Sequence, residues 1–119
     1  MKNILIIDDD REFSMELEDI LKDEGYTVKT SLDGKNGLNL IENGNYDVIL
    51  LDYKMNEMNG IDVLKKLKEQ NLNKKIIMIS GTINIEYFLE DGHVSDMVEN
   101  IFYKPFKIDA LLKSIRDIK

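Results

Sequence analysis

The chain contains no cysteine and no tryptophan, a single histidine (His93) and a single proline (Pro105). Without thiols it has no disulfide frame, no thiolate nucleophile and no zinc ribbon, and one histidine cannot build a His-based metal cluster. Redox and zinc chemistry drop out on composition. Basic residues are the minority charge, 16 against 23 acids, leaving a formal −7 over 119 residues. Nucleic acid and anionic membranes are bound by Lys and Arg that neutralise phosphate, so neither is expected as a direct partner. Long apolar runs are missing too. Ile4–Ile7, Val48–Leu51 and Ile76–Ile79 span four residues each, against the roughly 20 that a spanning helix needs. The first run is too short for a signal peptide and lacks a small-residue cleavage site. The expectation is a soluble, cytoplasmic chain.

What is present is enough apolar material for one core. At 43% hydrophobic and 33% charged, the composition is not that of a disordered chain, and the length fits one domain over residues 1–119. Short apolar runs at Ile4–Ile7, Tyr26–Thr30, Val48–Leu51, Ile76–Ile79 and Ile101–Tyr103 read as strands. Three of the five are continuously apolar, the pattern of parallel strands covered on both faces. Between them lie stretches of helical period. Phe13, Leu17, Ile20 and Leu21 form one, stopped by Gly25; Gly37, Leu38 and Ile41 a second, ending near Gly44. Ile61, Leu64 and Leu67 form a third after Gly60, with Lys65, Lys66, Lys68 and Glu69 on its wet face. Ile85, Phe88 and Leu89 suggest a short fourth helix broken near Gly92, with Val94, Met97 and Val98 as an extra turn. Ile108, Leu111, Leu112, Ile115 and Ile118 form the last helix, running to the C-terminus. This alternation predicts an α/β fold with a parallel sheet, helices on both faces and right-handed crossovers.

Ligands of such sheets bind at the carboxyl ends of the strands. There the sequence places Asp8, Asp9 and Asp10 after the first strand, Asp52 after the third, Ser80 after the fourth and Lys104, before Pro105, after the fifth. Singly each has a plain explanation, the acidic triplet as a helix cap above all. Together they make a site. Three carboxylates in one cleft repel, and a hard divalent cation relieves this; Mg²⁺ takes one or two carboxylates and completes its shell with carbonyls, waters and substrate phosphate. That arrangement suits phosphoryl transfer, which depends on alignment and charge neutralisation. A carboxylate can itself be the nucleophile, giving an acyl phosphate. Asp52, ending the central apolar strand, is the candidate.

The motifs ILIIDDD, DVILLDYKMNEMNG, IIMISGT and FYKPF, in this order, resemble the receiver domain of two-component response regulators across essentially the whole chain. The resemblance implies a flavodoxin-like, CheY-like doubly wound sheet of five strands in the order 2-1-3-4-5. It implies Asp52 as the phosphorylated aspartate, and Asp8, Asp9, Asp52 and the backbone carbonyl of Lys54 as ligands of Mg²⁺. Ser80 and Lys104 match the hydroxyl and the lysine that meet the phosphoryl group. The donor would be a phosphohistidine on a sensor histidine kinase or histidine phosphotransfer protein, docked on the first helix near Phe13, Met15 and Leu17, although Phe13 and Leu17 are also expected in the core. The protein would be a monomer or weak homodimer, catalysing only its own phosphorylation and dephosphorylation. With no output domain after Lys119, the expectation is a stand-alone receiver acting through protein contacts. His93 reads as a surface loop residue. The family commonly has a cis peptide before the proline matching Pro105, and a helix start is the other reading of that proline.

Three departures stand out. Asn56 replaces a usual proline in the loop after Asp52, which suggests a more mobile loop. Ile101 occupies the aromatic switch position, and strand alternation puts Phe102 on the opposite face. The stretch Thr82 to Asn100 is about two residues longer than usual in the family. Chemistry thus reads as intact and readout as altered, which keeps open a degenerate receiver serving as a phosphorylation-independent scaffold. An Mg²⁺-dependent phosphatase of the haloacid dehalogenase type would want a second Asp at position 54, where this chain has Lys54. A flavin module would want a phosphate loop where DDDRE stands.

Overall fold

A computed structural model describes residues 2–119. Its elements alternate as β1 (Asn3–Ile7), α1 (Arg11–Asp23), β2 (Thr27–Ser31), α2 (Gly34–Asn43), β3 (Val48–Asp52), α3 (Gly60–Glu69), β4 (Ile76–Ser80), α4 (Ile85–Asp91), β5 (Val98–Tyr103) and α5 (Ile108–Asp117). The five strands form one parallel sheet in the order β2-β1-β3-β4-β5. Side-chain alternation sorts the strand residues into two cores. Leu5, Ile7, Ile49, Leu51, Ile76 and Met78 meet α2, α3 and α4, while Ile4, Ile6, Val48, Leu50, Ile77 and Ile79 meet α1 and α5. The fully apolar runs of β3 and β4 are therefore buried on both faces. The strand order reverses between β1 and β3, and this opens the crevice where ligands of doubly wound sheets bind.

Helix ends follow local chemistry. Asp10 caps α1, its carboxylate accepting the Phe13 N–H, and Asp33 caps α2 in the same way from Asn36. At the start of α3, Asn59 and Asp62 form a reciprocal capping box. Gly25, at φ 94°, ends α1 in a Schellman turn, with Tyr26 N–H on the Leu21 carbonyl. This turn uses Tyr26, so β2 begins at Thr27, one residue later than its apolar pattern suggests. At α4 the left-handed position falls on His93, φ 58°, one residue past the expected break at Gly92. The Val94 N–H there reaches the Leu89 carbonyl. His93 is exposed as expected.

The extra turn is a 3-10 segment, Ser95–Met97, and Val98 lies in β5 instead of the turn. β5 is longer than its aromatic end suggests because its ladder slips opposite Ile76 and Ile77, taking in Glu99 as an unpaired residue. α5 closes at Asp117, with Ile118 extended, so the helix stops just short of the C-terminus. The Lys104–Pro105 peptide is cis. Pro105 does not start the helix; α5 begins three residues later, at Ile108. No helix among the described residues is long and apolar enough to cross a membrane.

Candidate functional site

Register brings the strand ends level. Ile7 pairs with Leu51 and Asp52 with Ile79, so Asp8 lies level with Asp52 and Ser80 one residue beyond it. The carboxylate oxygens of Asp8, Asp9 and Asp52 converge to within 4.8 Å of one another. Asp8 and Asp52 are buried and Asp9 is exposed. From just beyond β5, Lys104 reaches across the sheet end: its Nζ lies 2.7 Å from Asp8 Oδ2 and 3.8 Å from Asp52 Oδ1. Its backbone N–H donates to the Ser80 carbonyl at 2.8 Å, which fixes the root of the side chain.

The acidic triplet divides its labour. Asp8 and Asp9 face the crevice, whereas Asp10 serves as the helix cap, so both readings of the triplet hold, for different residues. Asp8 is itself fixed, its Oδ1 accepting the Asp10 N–H at 2.9 Å and its carbonyl the Ser14 hydroxyl at 3.3 Å. Asp52 is the perturbed group. Burial pushes its carboxyl up to about 7, Asp8 adds to the rise, Lys104 opposes it, Asp9 raises it further and the Tyr53 N–H stabilises the anion.

Of the other expected site residues, Ser80 is buried and Lys54 is exposed. The Ser80 side chain is buried and its Oγ accepts the Thr82 N–H at 2.9 Å, so the hydroxyl is held by its own loop. Lys54 is exposed in the loop after β3. That loop is anchored: Met55 is buried, the Gly60 N–H donates to the Tyr53 carbonyl at 2.8 Å, and Met58 N–H donates to the Asn56 carbonyl around Glu57 at φ 65°. Gly60 is required by proximity, since a Cβ there would lie 2.4 Å from the Asp52 carbonyl oxygen.

Ile101 packs into the α2, α3 and α4 core and Phe102 into the opposite one, as alternation predicts. Two aromatic contacts were not legible in the sequence. Tyr53, directly after Asp52, stacks on Phe88 of α4 with centroids 5.7 Å apart. Phe13 is partly buried and its ring lies under the Lys104 ammonium, 4.2 Å from Nζ to centroid. The only local signal for the second contact was the Asp10 cap that sets the start of α1, because its two partners come from opposite ends of the chain.

Comparison with known proteins agrees with this geometry. A sequence model described as the response regulator receiver domain matches residues 4–116. The transcriptional regulatory protein DltR of Streptococcus agalactiae is 31% identical over 113 residues, which cover 95% of this chain and 50% of that protein. The chain thus spans about half the length of the curated relatives it matches. Among solved structures, the receiver domain of the Francisella response regulator 1452 superposes with a TM-score of 0.89 at 32% identity, covering 99% of this chain and 96% of that one. The response regulator TrrA of Thermotoga maritima, in complex with Mg²⁺-BeF, gives 0.86 at 26% identity and full coverage of both chains. On the matched domain, the sheet order and the sequence identity together, the chain belongs to the receiver domain family of two-component response regulators.

Proposed function

We propose that this receiver, in the cytoplasm, accepts a phosphoryl group on Asp52 from a phosphohistidine of a sensor kinase or histidine phosphotransfer protein. The modified form then changes which proteins it contacts. The observation that carries the reading is the meeting of three carboxylates within 4.8 Å at the switch point with an ammonium beside them.

These are hard oxygen donors, two of them buried, and the set fits Mg²⁺. Asp8, Asp9 and Asp52 would hold the ion, with the Lys54 carbonyl as a further oxygen. When bound, it supplies neutralisation of the carboxylates and of charge on the transferring group. The Mg²⁺-BeF complex of TrrA supports this assignment by likeness of fold.

The chain's own groups do the rest. An oxygen of the Asp52 carboxylate attacks phosphorus; the O–P bond forms as the P–N bond of the donor breaks, and the electron pair leaves on the imidazole nitrogen. Attack needs the ionised carboxylate, and Lys104 at 3.8 Å favours that form. Lys104 then pairs with a phosphoryl oxygen, and the Ser80 hydroxyl, whose oxygen accepts the Thr82 N–H, turns its own proton to another. The only reactions assigned to the chain are its own phosphorylation and dephosphorylation.

A donor has somewhere to dock. A groove of about 420 Å³ between α1 and the β5–α5 loop is lined by Phe13, Leu17, Ile20, Pro105, Phe106 and Ile108 and opens beside Lys104. Its apolar lining suits a helix of the donor. Phosphoramidate, whose P–N bond imitates phosphohistidine, tests the reaction. With Mg²⁺, a phosphorus-31 resonance of a protein acyl phosphate should appear and be absent from Asp52→Asn. Equal signals from both proteins would refute the assignment.

A further inference from the structure

We propose that Phe13 is a positioning residue for Lys104: its ring keeps the ammonium at the phosphoryl site while a divalent cation draws on Asp8. The inference rests on the receiver reading above. It begins from competition for one carboxylate. Both oxygens of Asp8 are already engaged, Oδ1 by the Asp10 N–H at 2.9 Å and Oδ2 by Lys104 Nζ at 2.7 Å. A dication held by Asp8 must therefore share one of these oxygens, and at either one its charge weakens the hold of this carboxylate on the ammonium. Asp52, the second carboxylate near Nζ at 3.8 Å, is a metal candidate and also the phosphoryl acceptor. Of the three groups recorded around Nζ, the Phe13 ring is the one that a hard cation does not coordinate.

Lysine is a point charge on a flexible stem, so an ammonium released by Asp8 would otherwise swing into solvent. Its side chain is only 25% exposed, so the attraction between cation and ring face is partly desolvated and correspondingly stronger. The ring is fixed in turn. The Phe13 N–H is capped by Asp10 Oδ1 at 3.1 Å, and Phe106 packs edge-on against the ring with centroids 6.1 Å apart. Phe106 is itself braced by Phe102 at 5.8 Å. The triplet thus contributes at every position: Asp8 and Asp9 to the crevice, and Asp10 to the residue that steadies the lysine.

Phe13→Leu removes the ring and keeps apolar bulk, whereas Phe13→Tyr keeps the ring. Protons above an aromatic face resonate upfield, so the Lys104 side-chain methylene beside Nζ, assigned by its loss in Lys104→Arg, reports the contact directly. The upfield shift should be present in wild type and Phe13→Tyr, with and without Mg²⁺, and lost in Phe13→Leu. At saturating Mg²⁺, Phe13→Leu should take phosphoryl from phosphoramidate about three- to thirtyfold more slowly, the span that a cation–π contact supports. Phe13→Tyr should match wild type. In a Lys104→Ala background, Phe13→Leu should have no further effect, a result that a purely structural loss would not give. A folded wild type with no upfield shift in Mg²⁺ would overturn the proposal, even if Phe13→Leu failed to fold. So would an equal slowing by Phe13→Leu in the Lys104→Ala background. If wild type shows the shift but takes up no phosphoryl group, the reading of Asp52 as phosphoryl acceptor fails and this role with it.

Discussion

Replacing Asp52 with Asn should stabilise the metal-free protein, and by an amount that depends on pH in a defined way. Asp52 is 6% exposed at the end of β3, and burial with the Asp8 charge moves its carboxyl from 3.8 to about 7. The folded chain therefore holds this proton more tightly than the unfolded chain. Between these two values the native state carries more protons, so its stability falls as pH rises and levels off above about 7. At about 1.36 kcal/mol for each tenfold change in proton affinity, the ionised group costs on the order of 4 kcal/mol in the folded state. The ammonium of Lys104 is already included in that balance. Asp52→Asn removes the charge at nearly constant shape. Its stability relative to wild type should grow from near zero below pH 4 to about 2–4 kcal/mol at pH 8. Urea unfolding in a chelator, measured at intervals across this range, gives the difference for the coupled site as a whole, because carboxylates remote from it cancel between the two proteins. Saturating Mg²⁺ should narrow the gap, since an ion at a hundred times its Kd adds about 2.7 kcal/mol to the protein that binds it. Parallel pH profiles, or an Asp52→Asn protein less stable than wild type at pH 8, would refute the reasoning.

Gly60→Ala should lose about 1–3 kcal/mol, because the new Cβ meets the Asp52 carbonyl at 2.4 Å and Met78 Cε at 3.0 Å; denaturant unfolding measures it. The backbone shift that relieves the clash should also slow phosphorylation at Asp52. Asp10→Ala leaves the Phe13 N–H without its cap and should cost about 1 kcal/mol, read as a lower urea midpoint with unchanged slope. Lys54, exposed two residues after Asp52, is expected to shield the proposed acyl phosphate from water. Lys54→Ala should shorten its lifetime, and an unchanged decay would remove that role.

The strands and their ends were legible because burial on both faces forces continuous apolar runs, and the residue after each run must emerge at the sheet edge. Asp8, Asp52, Ser80 and Lys104 fall into place on that logic alone. Element boundaries were less legible where a residue served two neighbours. Tyr26 is apolar enough for a strand but is used to close α1, and Val98 pairs with Ile76 across an irregular ladder that period alone does not show. The fates of Asp9 and Asp10 differ because one faces a crevice and the other a helix end, a distinction that depends on backbone geometry. The Phe13 and Lys104 contact needed the whole sheet between α1 and β5 to bring its partners together. The bond from the Thr82 N–H to the Ser80 hydroxyl oxygen was not legible either, since it depends on the turn that the chain makes after β4.

The most direct test is chemical mapping of the acceptor. The protein is incubated with Mg²⁺ and acetyl phosphate and reduced with borohydride, which converts an aspartyl phosphate to homoserine, and the modified position is then read by peptide mass spectrometry. The expected result is modification at Asp52 alone, dependent on Mg²⁺. Homoserine at Asp8 or Asp9, or no modification in folded protein shown to bind Mg²⁺, would contradict it.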